Sequence, residues 1–158
     1  MKKYYSLCLI VVLTACATPY QKLGFSGGFS ETQLDVNVFR VSYKGDTVIT
    51  HETVADYALL RSAELTLTNG YNYFIIVESD KYTNQGSYTT PTYTTGTATA
   101  YGDTIYGSAT TYGGQTFYFS EPTSSNTIVC FEEKPEGFSY NAKYIEKSIK
   151  ERYQIETP

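Results

Sequence analysis

The chain has 158 residues, 41% of them hydrophobic and 16% aromatic, with a formal net charge of −4. That length suits one domain with a real core and is short for two. The acidic balance offers no attraction for phosphates, which argues against nucleic acid as a partner.

Met1-Lys2-Lys3 is a short positive start, and Leu7 to Leu13 is an unbroken apolar run. The run is far short of the roughly 20 apolar residues that span a bilayer, so residues 1–15 read as a signal peptide. The next residues, Leu13-Thr14-Ala15-Cys16, resemble the lipobox of bacterial lipoproteins. A thiol is the most nucleophilic side chain for accepting a diacylglyceryl group, and the small Thr14 and Ala15 leave room for a peptidase. The resemblance implies cleavage before Cys16, fatty acids on that residue (palmitate among them) and a membrane as the first partner. Cleavage would also remove Lys2 and Lys3, making the chain more acidic by two charges. By resemblance to enteric lipoproteins, in which an Asp after the cysteine favours inner-membrane retention, Ala17 implies the outer membrane, facing the periplasm. No basic run follows Cys16, so a polybasic membrane patch is not expected.

Residues 16–35 read as the lipidated N-terminus and a tether, and 36–158 as a single domain. The glycines of Gly24-Phe25-Ser26-Gly27-Gly28 lack the preceding strand, the following Lys-Ser/Thr and the helix that a phosphate loop requires, so a flexible or turning segment is expected. Val36 to Tyr43 alternates like a half-buried strand. Gly45-Asp46 signals a turn, and Thr47 to Thr50 a short returning strand. Thr53 to Asn69 reads as a helix with Thr53 and Asp56 approximating a capping box. Its apolar stripe is Ala55, Ala58, Leu59, Ala63 and Leu67, widened by Leu60. Arg61 and Glu64 can pair in solvent, and Asn69-Gly70 stops the helix. Tyr73 to Val77 is apolar, β-branched and aromatic, which predicts a central strand covered on both faces. Thr127 to Glu132 predicts a second inner strand. Asn141 to Gln154 is a second amphipathic helix, with Ile145, Ile149 and Tyr153 as its stripe and Glu146–Lys150 as an i,i+4 pair. The expected fold is α+β: a small sheet with two helices packed on one face.

A long insertion, residues 82–119, interrupts this pattern. It holds seven of the 17 tyrosines and many threonines, yet one charge, Asp103. Tyr101-Gly102, Tyr106-Gly107 and Tyr112-Gly113 recur as a loose repeat. Thr and Tyr favour strands, which predicts a projecting hairpin; the scarcity of aliphatics predicts a mobile segment instead. Strands near both ends with a loose tip reconcile the two. Tyr93, Tyr101, Tyr106 and Tyr112 form the candidate binding surface, since tyrosines stack on sugar rings or anchor a protein partner and threonine hydroxyls suit glycans. A plain soluble spacer is the competing reading.

Little in the chain suggests catalysis. His51 is the lone histidine, has no nucleophile motif beside it and stands just before a helix. Cys130, in an apolar strand, reads as a small hydrophobe. One histidine and one cysteine cannot build a common zinc site, so no metal or other cofactor is expected. Glu78 and Asp80 share a face if their strand runs that far, but nothing supplies further cation ligands. Glu132 and Glu133, as strand neighbours, point to opposite faces.

Several stretches are similar to a family of small proteobacterial lipoproteins of unknown function: Gly28 to Leu34 (GFSETQL), Val38 to Ser42 (VFRVS), Tyr57 to Leu65, Gly70 to Phe74 (GYNYF) and Asn126 to Val129 (NTIV). The resemblance agrees with the lipobox and the α+β fold and implies no activity or site. The expected function is thus a membrane-anchored envelope lipoprotein, a non-enzymatic binding or structural module whose partner is an envelope protein or peptidoglycan. The alternative is a carboxylate-dependent hydrolase of cell-wall or surface glycans, which requires two acids facing one cleft. Self-association through the flat, uncharged insertion is a third expectation.

Overall fold

A computed structural model describes residues 19–156. The predicted signal peptide and Cys16 lie outside the described residues. The expected α+β architecture is present. Among the described residues, seven strands and two helices follow in chain order: β1 (Gly28–Asp35), β2 (Val38–Lys44), α1 (His51–Thr68), β3 (Tyr73–Thr89), β4 (Tyr93–Tyr101), β5 (Thr104–Tyr112), β6 (Thr116–Phe131), β7 (Tyr140–Asn141) and α2 (Ala142–Tyr153). Five strands form an antiparallel sheet in the order β1-β2-β6-β3-β7, while β4 and β5 form a separate two-stranded sheet. Because β6 pairs antiparallel with both β2 and β3, those two run parallel to each other. The β2-α1-β3 unit is therefore a split crossover with β6 inserted between its strands.

Alternation in β2 puts Phe39, Val41 and Tyr43 inside, and the register sets them opposite Ile128, Asn126 and Ser124 of β6. Phe74 of β3 faces Cys130. Phe39, Val41, Phe74, Ile128 and Cys130, with Ala63, Leu65 and Ala142, make the main core. A second core gathers Tyr43, Val54, Tyr57 and Ala58, against which Tyr20, Phe29 and Tyr153 pack. There the Tyr57 ring meets Tyr20, Tyr43 and Tyr153 edge-on, at centroid distances of 5.4, 5.0 and 5.1 Å. Edge-to-face geometry sets each ring's positive rim on its neighbour's negative face.

Several sequence expectations change. The tether is much shorter than residues 16–35. Gly28–Asp35 is a full edge strand, and the chain is already docked at Pro19, whose carbonyl accepts a hydrogen bond from Tyr43 Oη at 3.2 Å. β1 lacks an apolar alternation because, past Phe29, both of its faces are exposed. The glycine that opens it serves packing: a Cβ on Gly28 would sit 2.6 Å from the Gln21 carbonyl oxygen. Thr47 to Thr50 is a bend, not a strand. There Asp46 Oδ1 accepts from the backbone N–H of Val48 and Ile49 at 2.9 and 3.1 Å, a local bond that competes with strand pairing.

Helix α1 begins at His51, and its N-cap is Thr50 rather than Thr53: Thr50 is extended, and its Oγ1 accepts from Thr53 N at 3.2 Å. The buried arc is wider than the predicted stripe. It includes Val54, Tyr57, Leu65 and even Ser62 and Thr66, because α1 lies against the sheet and α2 together. Ser62 and Thr66 donate to the carbonyls of Ala58 and Ser62, so their burial leaves no hydroxyl unpaired.

Strand β3 is not central and not covered on both faces. β6 holds the centre, β7 covers only Tyr73 and Phe74, and Val77 is exposed. A bulge at Val77, between Ile76 and Glu78, shifts the register. Without it Glu78 would follow Phe74 and Ile76 towards the helices; with it Glu78 pairs opposite Thr127 on the helix-free face.

Candidate functional site

Past the Lys44–Thr123–Tyr82 row, β3 and β6 leave the five-stranded sheet and continue together as a ribbon to the Thr89–Thr116 pair. A short junction follows. Thr90 N donates to the Gln115 carbonyl at 2.9 Å, and Gln115 N to Thr90 Oγ1 at 3.0 Å. Gly113 has a φ of +93°, and a Cβ there would collide with the Pro91 carbonyl, so the junction needs glycine. Then β4 and β5 pair without a break from Tyr93↔Tyr112 to Tyr101↔Thr104. The turn is Gly102-Asp103, and the positive φ of Gly102 suits a two-residue hairpin loop. The expected loose tip is thus paired to its end, and the hairpin is the better of the two readings for the insertion.

The register decides which side chains share a face. One face of the arm carries Tyr93, Thr95, Thr97, Thr99 and Tyr101 opposite Tyr112, Thr110, Ser108, Tyr106 and Thr104. All four tyrosines singled out from sequence, Tyr93, Tyr101, Tyr106 and Tyr112, therefore stand on one side. Tyr93 and Tyr112 form a pair at the base; Tyr101 and Tyr106 stand diagonally near the tip. Eight steps of strand separate Tyr93 from Tyr101 and six separate Tyr112 from Tyr106, about 26 and 20 Å at roughly 3.3 Å per residue. Between them lie only hydroxyl side chains, with Thr97 and Ser108 bonded across the strands at 3.2 Å. The opposite face is small and flat: Thr94, Gly96, Ala98 and Ala100 against Thr111, Ala109, Gly107 and Ile105.

All four tyrosines are more than 60% exposed. Nearer the sheet, Tyr82, Tyr88, Phe117 and Phe119 share the helix-free face of the ribbon, and each is at least 41% exposed. So large an aromatic surface on an arm with so few charges is uncommon outside interaction sites.

A second cluster, not foreseen as a unit, lies on the body beside an open cavity of about 640 Å³. Arg61 donates to Glu31 at 2.7 Å and to Glu64 at 3.0 Å. Lys150 binds Glu64 at 3.0 Å and Glu146 at 2.7 Å, and Tyr20 Oη donates to Glu64 at 2.6 Å. The two helical pairs predicted separately, Arg61–Glu64 and Glu146–Lys150, are thus joined through Glu64–Lys150. They are largely shielded rather than in open solvent, with 12–27% of each side chain exposed. Burial pushes the Glu64 carboxyl up, but the hydrogen bonds from Tyr20, Lys150 and Arg61 together outweigh it and hold it below its ordinary value. Burial likewise raises the Tyr20 phenol, and its bond to the Glu64 carboxylate adds to the rise. A general acid needs a carboxyl raised towards neutrality, and Glu64 is displaced the other way. Each cation already faces two carboxylates, so the cluster is a closed ion network.

The remaining candidates stay apart. Glu78 and Asp80 do share the helix-free face, where Glu78 Oε2 accepts from Thr127 Oγ1 at 3.2 Å and lies 4.0 Å from Arg40. No group of three or more His, Cys, Asp or Glu side chains among the described residues could hold a metal ion. His51 opens α1, exposed, with Nε2 at 3.5 Å from Thr83 Oγ1 at the root of the arm. Cys130 is buried, its Sγ 3.4 Å from Thr66 Oγ1, and burial pushes its thiol up despite that contact. A thiol so placed is a packing group rather than a nucleophile.

No protein-family model, curated protein or solved structure matches the chain.

Proposed function

We propose that this chain is an envelope lipoprotein, anchored through acylated Cys16 in the outer membrane, whose folded domain is a non-catalytic binding module. The arm is its working surface: the face bearing Tyr93, Tyr101, Tyr106 and Tyr112 meets an envelope partner, protein or peptidoglycan. One observation carries this reading. Four exposed tyrosines separated only by hydroxyl side chains lie on a single face of a hairpin whose strands carry no charge. Such rings offer flat apolar area at low entropic cost, and their phenols and the neighbouring threonines offer hydrogen bonds. The competing hydrolase reading would draw its acids from Glu64 and Glu146. Both are engaged by Lys150, and the depressed Glu64 favours an ion network over a proton donor.

The test is a photo-crosslinking residue at Thr97 in the full-length chain, activated in intact cells. An adduct to an envelope protein, or one released by muramidase, is expected, and it should disappear when all four tyrosines become alanine. A crosslink-free chain, or adducts indifferent to those substitutions, would sink the proposal. The anchor is tested separately: labelled palmitate should be incorporated and then lost in Cys16→Ser.

A further inference from the structure

The five-stranded sheet and the arm treat their edges in opposite ways. Strand β1, one edge of the sheet, carries Glu31 and Asp35, and Glu31 is tied to Arg61. Strand β7, the other edge, is two residues long and runs straight into α2. Charge and brevity are ordinary means of keeping a sheet from pairing with other chains. The arm uses neither. Strands β4 and β5 are nine residues each, contain no charge and no proline, pair without a bulge, and among the described residues have no third strand on either side. Its one charge, Asp103, is in the turn. A two-stranded ribbon with every residue exposed is marginal alone in water and gains stability from further strands.

We propose that the unpaired edges of β4 and β5 bind a second copy of this chain. The β5 edge of one arm takes the β4 edge of the next, antiparallel, with both arms pointing the same way. A second copy fits because each edge meets one of its own length and composition. No like charges meet along it, and the Thr–Thr and Thr–Ser hydroxyl pairs inside the hairpin, Thr94–Thr111 and Thr97–Ser108, show the cross-strand contacts this composition makes. Since β4 and β5 are different edges, the contact is head-to-tail and leaves a free edge at each end, so it extends beyond a dimer. The inference uses the edges of the arm and not its tyrosine face, and it does not rest on the anchor.

Sedimentation velocity of the full chain across a concentration series tests it, beside Ala98→Lys/Ala109→Lys. That variant puts one cation on each strand, on the flat face and away from the body. The wild-type chain is expected to sediment as multiples of its own mass, and the double variant as single chains with an unchanged melting temperature. Amide exchange along β4 and β5 should slow at least tenfold in the assembled wild type relative to the variant. The tetra-alanine tyrosine variant should still assemble, which separates this proposal from the binding face. A wild-type chain that remains single at tens of micromolar, a lysine variant that assembles equally well, or a particle whose extra mass is a different protein would each overturn it.

Discussion

Two populations of tyrosine distinguish the body from the arm. In the body, Tyr20, Tyr43 and Tyr153 pack around Tyr57, and each of the three donates its hydroxyl, to Glu64, the Pro19 carbonyl and Asp56 respectively. In the arm, Tyr93, Tyr101, Tyr106 and Tyr112 stand in solvent. The same residue serves in one place as core and in the other as surface, because the body has helices to close over its rings and the ribbon has nothing. A side chain's chemistry sets what it can do; the layer above it decides which of those things it does.

That contrast predicts unequal responses to substitution. Phe74→Ala, which empties a fully buried site in the main core, should cost about 3–5 kcal/mol. A loss below about 1 kcal/mol in urea titration would mean the core is not where the burial pattern puts it. Glu64→Ala should cost about 1–3 kcal/mol, since it strands the Tyr20 hydroxyl and removes one partner each from Arg61 and Lys150. Because the folded-state carboxyl lies below its ordinary 4.5, its contribution is present above that value and fades as pH falls through the lower, folded-state value. Glu64→Gln should therefore flatten the acid limb of the stability curve, and an unchanged limb would contradict the network. Thr50→Ala should cost about 1 kcal/mol by uncapping α1, whereas Thr53→Ala should cost less if Thr50 is the true cap. Smallest of all, Tyr101→Ala or Ile105→Ala in the arm should move the body's unfolding by no more than about 0.5 kcal/mol. A larger effect would mean that arm and body unfold as one unit.

Hydrophobic period made most of the body readable in advance. β2 follows alternation and α2 helical spacing closely, whereas only the stretch of β6 from Thr127 is marked by apolar residues and the buried arc of α1 is wider than its apolar stripe. The failures have local causes. β1 has no apolar alternation to read, because it is an exposed edge strand. The sequence puts the cap three residues late because Thr50 and Thr53 are both good caps, and only the extended backbone at Thr50 separates them. The bulge at Val77 leaves no mark in composition, yet it decides which face Glu78 takes. In the ion network the helical pairs were legible, while their union through Glu64 and Lys150 depends on how α1 and α2 pack. The tyrosine face was half legible: Tyr93 with Tyr101, and Tyr106 with Tyr112, share parity along their own strands. Only the two-residue turn at Gly102-Asp103 brings both pairs to one side.

Pro19 is pinned to Tyr43, one residue from the Lys44–Thr123–Tyr82 row where the arm departs. Cys16 precedes Pro19 by three residues, a leash of at most about 10 Å. If Cys16 bears the acyl chains, the globule has almost no freedom to drift outward, and the arm's root is berthed at the lipid headgroups. Its reach is then counted from the bilayer itself, and neighbouring copies would search for one another across a plane rather than through a volume.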